Sequence, residues 1–348
     1  MRLPMRLREV SRQAERFAMS RRIVEVTTGS RLHFGMMSFG RPGVRQFGGV
    51  GAMIDAPSVR LRISAADEWR VTGPSADVAR GYAETVAQAP WIAEPVQCHI
   101  EILSASVPHV GLGSGTQLAL AVAAGLNAFY ERPPLDAEQL ARSVGRGRRS
   151  AVGLYGFIQG GLILEGGKLS ADEVSPLLSR VPLPDEWRFL LVRQNDAQGL
   201  FGADERGAFA RLPPVPEQIT AAMYEEASTR LLPAAAEKRF DVFSESLFKF
   251  GQDAGRLFAS LQGGTYASQM AAMLVRTLHE LGVVGVAQSS WGPTVFAVLP
   301  SEAAAADALA ELAASPVARD CYCHLARPLN AGATIEIRED EGRISAAI

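Results

Sequence analysis

The chain has 348 residues, of which 47% are hydrophobic and 21% charged, and a formal net charge of -2. That length exceeds the ~100 to 200 residues of a usual single domain, so one large or two medium packed domains are expected and a disordered chain is excluded. With 35 Lys and Arg against 37 Asp and Glu, no global charge points to nucleic acid or an acidic membrane, and any anion site must be local.

The first twenty residues carry Arg2, Arg6, Arg8, Arg12 and Arg16 against Glu9 and Glu15. They lack the apolar core of a signal peptide and read as a basic arm over 1–20, with Met19 as an alternative start. No stretch approaches the ~18 apolar residues of a membrane helix. Residues 23–28 and 59–64 have strand patterns. Between them lie Arg31-Leu32-His33-Phe34-Gly35 and Arg45-Gln46-Phe47-Gly48-Gly49-Val50-Gly51, read as turns where backbone approaches something closely.

A strand at 96–102 leads to Pro108, and 117–130 is apolar almost all round, the pattern of a buried helix. Pro133-Pro134-Leu135-Asp136 then caps a helix at 137–144. Residues 157–165 have strand character, and the proline-stiffened 181–185 reads as a connection between a first domain over 21–183 and a second over 184–348. The second half begins with a strand at 187–193. Helices follow near 217–238, 242–261 and 268–281, then strands at 283–288 and 294–299, a helix at 302–314, and strands at 321–326 and 334–338. That order suggests a ferredoxin-like α+β sandwich. Cys98, Cys321 and Cys323 are too few and too oddly spaced for a disulfide framework, and Cys321-Tyr322-Cys323-His324 lacks further ligands for a metal. Structural thiols in a reducing, cytoplasmic compartment are expected.

The segment Pro108-His109-Val110-Gly111-Leu112-Gly113-Ser114-Gly115-Thr116-Gln117 joins a strand to the apolar helix. Free N–H groups and the positive dipole end at a helix start suit a phosphate, and Ser114 and Thr116 add hydroxyl donors. A tight turn alone also selects such residues. The segment resembles the Pro-x-x-x-Gly-Leu-Gly-Ser-Ser-Ala-Ala signature of the superfamily of galactokinase, homoserine kinase and mevalonate kinase. Arg149-Ser150-Ala151-Val152-Gly153 with Gly160-Gly161 resembles its Ser-Gly-x-Asp element. Ser289-Ser290-Trp291-Gly292-Pro293-Thr294 resembles its C-terminal glycine-rich loop. The resemblance implies a two-domain α+β fold, with an N-terminal domain like ribosomal protein S5 domain 2 and a ferredoxin-like C-terminal domain.

The kinase pattern fails at two positions. Gly153 stands where the resemblance places the aspartate beside the acceptor hydroxyl, and Arg142 where it places the magnesium-holding glutamate. Phosphoryl transfer depends on such groups. Arg142, Arg146, Arg148 and Arg149 instead crowd the region, readable as a solvated basic helix end or as a clamp for a phosphorylated substrate.

These altered positions, with Gln262-Gly263-Gly264-x-Tyr266 and Gln288, look like the β-ribofuranosylaminobenzene 5'-phosphate synthases. That resemblance, from about residue 23 to 337, implies a pentosyltransferase. It would join 5-phosphoribosyl 1-diphosphate to 4-aminobenzoate with loss of CO2 and diphosphate, early in tetrahydromethanopterin synthesis. The substrates are then small molecules, with no nucleic acid, membrane or nucleotide cofactor; a homodimer stays open. Gly111, Gly113, Ser114, Gly115, Thr116 and Arg148 would hold phosphate, with Mg2+ arriving on the diphosphate. Arg31, His33 and Arg149 are the catalytic candidates. Arg45, Gln46, Gln262, Tyr266, Ser289 and Trp291 are candidates for the aromatic substrate, and Asp55 and Asp196 are weaker ones for a metal. An ATP-dependent small-molecule kinase using a carboxylate from elsewhere, or a non-catalytic ligand-binding relative, remain as alternatives.

Overall fold

A computed structural model describes residues 22–88, 97–199 and 202–339; the basic arm at 1–20 lies outside them. The first half is organised by two long strands, β1 (Arg22–Ser38) and β2 (Phe47–Ala65). They carry β3 (Arg70–Thr72) and β4 (Cys98–Ser104) at one end of β2, and β5 (Leu162–Glu165) and β6 (Leu177–Val181) at the other. Helices α1 (Ala76–Ala87), α2 (Ser114–Phe129), α3 (Ala137–Ser143) and α4 (Val152–Gln159) belong to this half. The apolar α2 buries residues all round its surface, as its Ala- and Leu-rich sequence requires. It packs in a core with Val26, Leu61 and Ile100. Asp136 caps α3 in a reciprocal capping box with Gln139, satisfying two amide donors at once.

The second half continues through β7 (Arg188–Gln194), α5 (Gly202–Ala210), α6 (Glu217–Glu225), a π-turn (Glu226–Leu231) and α7 (Leu232–Ala236). It runs on to α8 (Phe240–Arg256), α9 (Ala259–Gln262), α10 (Gln269–Glu280), β8 (Val286–Gln288), β9 (Val295–Leu299), α11 (Glu302–Ala314) and β10 (Cys321–Ala326). The sheet order is β10-β7-β9-β8, all antiparallel. With its helices this is the split βαβ arrangement of a ferredoxin-like sandwich. The three cysteines are free.

Three expectations need correction. The last strand, β11 (Thr334–Glu339), does not join the second sheet; it pairs antiparallel with β1, returning the chain to the first half. Strand propensity alone does not say which sheet supplies the partner. Residues 157–159 are helical, ending α4 before Gly160, because a short apolar run carries no period that separates strand from helix. Arg31 and His33, read as turn residues, lie inside β1.

The halves share a core. Leu32, Phe34 and Val50 of the first sheet pack with Phe189, Phe250 and Phe296 of the second half, and the rings of Phe34 and Phe296 stack at 5.3 Å. Burial of several large apolar side chains at ~25 cal/mol per Å2 fixes the two halves against each other. The cleft between them therefore has firm walls.

Candidate active site

The loop before α2 ends on Gly113, whose φ of 68° is costly for any residue bearing a Cβ. A Cβ there would meet the Arg31 side chain at 3.2 Å. The amides of Thr116 and Gln117 return to the Gly113 carbonyl. Gln117, fully buried, accepts from the Thr28 hydroxyl at 2.9 Å and donates to the Gly153 carbonyl at 2.8 Å. These bonds lock the start of α2 to β1 and α4.

The glycine-rich loop of the second half is packed onto this one. Ser289, fully buried, donates to the Gly111 carbonyl at 2.7 Å and accepts from the His33 amide at 3.0 Å. Thr294 donates to the Val110 carbonyl at 2.6 Å, and the Ser290 amide donates to the His33 carbonyl. A Cβ on Gly292 would lie 2.3 Å from the Gly111 Cα, so only glycine permits the contact.

Two cavities meet at the loop. One, of about 260 Å3, is lined by Ser106, His109, Ser114, Tyr82 and Arg146. The other, of about 700 Å3, is lined by Arg31, His33, Gln46, Arg148, Arg149 and Lys168. Thr116 and Glu205 border both. The larger cleft is walled by cations, and residues from β1, the 145–150 turn and the chain after β5 converge on it.

Arg31 and His33 sit two apart on β1 beside the bulge between His33 and Gly35, with another between Thr28 and Ser30. Bulges re-aim side chains next to functional sites. Burial lowers the Arg31 pKa to about 10 against opposing pulls from Glu165 and Glu205, and its Nε has no partner among the described residues. His33 is 1% exposed. Burial first, and the charge of Arg31 second, hold its pKa well below the ordinary 6.5, so it is neutral at physiological pH. Its Nε2 lies 3.1 Å from the Ser150 hydroxyl oxygen.

Arg149 pairs with Glu205 of α5 and lies over the Phe209 ring at 4.5 Å. Arg148 faces the cleft from an exposed turn. Arg142 does not reach it: its guanidinium is 63% exposed and paired with Glu138, so the solvated helix-end reading holds for that arginine. At Gly153 a Cβ would meet the side chains of Thr116 at 3.3 Å and Gln117 at 3.4 Å, so a side chain there presses on the start of α2.

Several aromatic-site candidates are placed elsewhere. Arg45 donates to the Gly167 carbonyl and to Glu173. Tyr266 packs on the core beneath α10. Ser289 is spent on joining the two loops. Gln262 and Trp291 wall a cavity of about 20 Å3, room for a water rather than a ring; Gln262 Oε1 and Trp291 Nε1 lack partners among the described residues. Gln46 does line the main cleft, although its amide donates back to Val44 at 2.8 Å. Asp55 accepts from the Arg327 amide at 2.7 Å, and Asp196 is exposed on a turn. Among the described residues no group of three or more His, Cys, Asp or Glu could hold a metal.

Sequence reasoning missed two buried charges. Glu165 is fully buried at the end of the apolar β5, and Lys168 is 3% exposed. Burial raises the Glu165 pKa, opposed by Ser150, the Ala151 amide, Ser175 and Arg31. Burial lowers that of Lys168, with Glu165 the strongest opposing charge. A Glu closing a Leu-Ile-Leu run was the available signal, since an unpaired charge is seldom buried.

The N-terminal portion, residues 78–161, matches the family described as GHMP kinases N terminal domain, and residues 231–318 match GHMP kinases C terminal. The fold is that of solved GHMP-type structures. A homoserine kinase from Cytophaga hutchinsonii superposes with a TM-score of 0.64 at 13% identity, covering 90% of this chain and 97% of its own. A mevalonate diphosphate decarboxylase from Staphylococcus aureus gives 0.64 at 14%, covering 90% and 98%. The chain is a diverged member of the GHMP family.

Within that family its sequence is similar to a particular group. An Archaeoglobus fulgidus protein named beta-ribofuranosylphenol 5'-phosphate synthase is 26% identical over 90% of this chain and 100% of its own length. A protein of the same name from Methanothermobacter thermautotrophicus is 26% identical over 78% and 88%.

Proposed function

We propose that this chain is a pentosyltransferase that joins C1 of 5-phosphoribosyl 1-diphosphate to the ring of a para-substituted benzoate. The products are a β-ribofuranosyl arene 5'-phosphate, CO2 and diphosphate, on the way to tetrahydromethanopterin. The acceptor is 4-aminobenzoate or its hydroxyl counterpart, the latter matching the phenol in the relatives' name. The observation carrying this reading is Gly153 and Arg142 at the two kinase carboxylate positions, the former beside a cation-walled cleft.

Departure of diphosphate from C1 leaves an oxocarbenium-like centre, so the site must stabilise a leaving anion and hold a ring carbon against C1. The Gly111–Thr116 backbone and hydroxyls, with Ser114 and Gly115, hold one phosphate group at the start of α2. Arg31, Arg148, Arg149 and Lys168 offset the charge of the other, and Mg2+ is carried by the diphosphate. A cleft of this volume supports a site for both substrates, and neutral His33 lines it.

The test mixes purified protein with Mg2+, 5-phosphoribosyl 1-diphosphate and carboxyl-labelled 4-aminobenzoate or 4-hydroxybenzoate, then counts labelled CO2. Release with equimolar diphosphate is expected. No release from either acceptor, or ADP formation from ATP and a small alcohol instead, overturns the reading.

A further inference from the structure

Glu165 is a buried charge that opposes those of Arg31 and Lys168. It is 0% exposed, on a strand whose other residues are apolar. Its Oε2 accepts from the Ala151 amide at 2.7 Å, while Oε1 has no hydrogen-bond partner placed among the described residues. A buried carboxylate oxygen left unsatisfied is expensive and calls for an explanation. The hydroxyls of Ser150 and Ser175 both act on its carboxylate; Ser150 adjoins the Ala151 amide that Oε2 accepts from, and its Oγ in turn lies 3.1 Å from His33 Nε2.

Hydrogen-bond accounting orders these three groups. Ser150 Oγ accepts from the Val152 amide at 3.2 Å and lies 3.1 Å from His33 Nε2. If its hydroxyl hydrogen turns to Glu165, the only satisfied arrangement has His33 donating from Nε2 to Ser150. The lone pair is then on Nδ1, and the ring borders the main cleft.

We propose that Glu165, acting through Ser150 and His33, stores the proton of a hydroxyl para to the acceptor's carboxylate while the ring attacks ribose C1. This deepens the reading above and rests on it. The C1–oxygen bond breaks with its electron pair leaving on diphosphate, and ring electrons form the C1–carbon bond. The hydroxyl proton passes to His33 Nδ1, the Nε2 proton to Ser150, and the Ser150 proton to Glu165. When the ring–carboxylate bond breaks, CO2 departs, its electron pair restores the aromatic ring, and the three protons return. No proton is released overall, which suits a relay that ends in a buried group. An amine needs no such store, since its nitrogen lone pair supplies the push directly. Glu165 and Ser150 are positioning residues that favour a hydroxyl-bearing acceptor.

The test compares the parent with Glu165→Gln, Glu165→Asp and Ser150→Ala, each assayed with labelled 4-hydroxybenzoate and 4-aminobenzoate. Glu165→Gln is expected to lower kcat for the hydroxy acceptor about a hundredfold, the scale of a lost general base, with its KM little changed. The amino acceptor should lose less than about threefold on the same scale, and Glu165→Asp should restore part of the hydroxy rate. Equal losses on both acceptors would overturn the relay. If Glu165→Gln does not fold, Ser150→Ala must show the same selective loss. Nitrogen-15 spectra of labelled histidine, with the His33 signal assigned by its absence from His33→Asn, give a readout independent of turnover. An Nε2–H tautomer supports the relay and an Nδ1–H tautomer sinks it. A parent that releases no CO2 but shows the Nε2–H tautomer faults the functional reading alone.

Discussion

Arg149→Ala tests the anion clamp most directly, because its partners in the free chain are known. Its guanidinium is about three-quarters buried, paired with Glu205 and stacked on Phe209. A charge-assisted bond to a phosphate oxygen contributes about 1.5–3 kcal/mol. Binding must first separate Arg149 from Glu205, which returns part of that gain, so the lower end applies. About 1.5 kcal/mol is roughly a tenfold rise in KM for the phosphoribosyl donor and in Kd for diphosphate. Glu205 supplies the opposite perturbation. It borders both cavities, and its charge raises the proton affinity of Arg31 and His109. Glu205→Gln removes a competitor for the same cations and should tighten diphosphate severalfold by the same arithmetic. In the double variant the two effects should not add, since the residues are in contact. Calorimetry with inorganic diphosphate and Mg2+ reads binding without turnover. An unchanged Kd in Arg149→Ala, or weaker binding in Glu205→Gln, would refute the clamp.

Gly153→Asp restores the kinase-like residue by sequence but not its geometry, because the new Cβ meets Thr116 at 3.3 Å. It should lower the denaturation midpoint and give no ADP from ATP; ADP formation with a small alcohol acceptor would contradict this. His33 should make stability pH-dependent. Its folded pKa is depressed, so below the ordinary 6.5 the unfolded chain binds a proton that the folded chain refuses. Stability is then lost as pH falls from about 6.5, by up to about 1.4 kcal/mol per pH unit. The raised Glu165 pKa works the other way, so the measurement is the difference in slope between the parent and His33→Asn. Equal slopes would mean that His33 titrates normally.

The two-domain architecture was legible because its signals are local. The apolar run before Pro133 could only be a buried helix, and the βαββαβ order of the second half matches the observed sheet. The glycine motifs marked the two loops that now touch through Gly111 and Gly292. What failed depends on long-range partners. Nothing in Thr334–Glu339 names β1 as its neighbour, and no spacing tells that Ser289 spends its hydroxyl on Gly111 and the His33 amide. Arg45 and Tyr266 carry functional chemistry in principle, yet Glu173 and the α10 core claim them. Glu165 and Lys168 escaped for the converse reason: inside an apolar strand or beside a glycine pair, a charge looks like a surface residue until its burial is seen.

Under the proposed function, a kinase-type site becomes a glycosyl-transfer site by changes whose effects point one way. Phosphoryl transfer between an alcohol and a nucleotide needs a carboxylate at the hydroxyl and a metal on the phosphates. At Gly153 the carboxylate is gone, and Thr116 and Gln117 stand against the position. Arg31, Arg148, Arg149 and Lys168 give the cleft excess positive charge, which lowers the energy of a departing diphosphate more than that of the intact donor, since negative charge grows on it as the C1 bond lengthens. The same cations would repel the positive charge that develops on ribose C1. The ring electrons of the acceptor must therefore arrive as the diphosphate leaves, and the neutral His33, held uncharged by burial and by Arg31 itself, puts no further positive charge beside that centre.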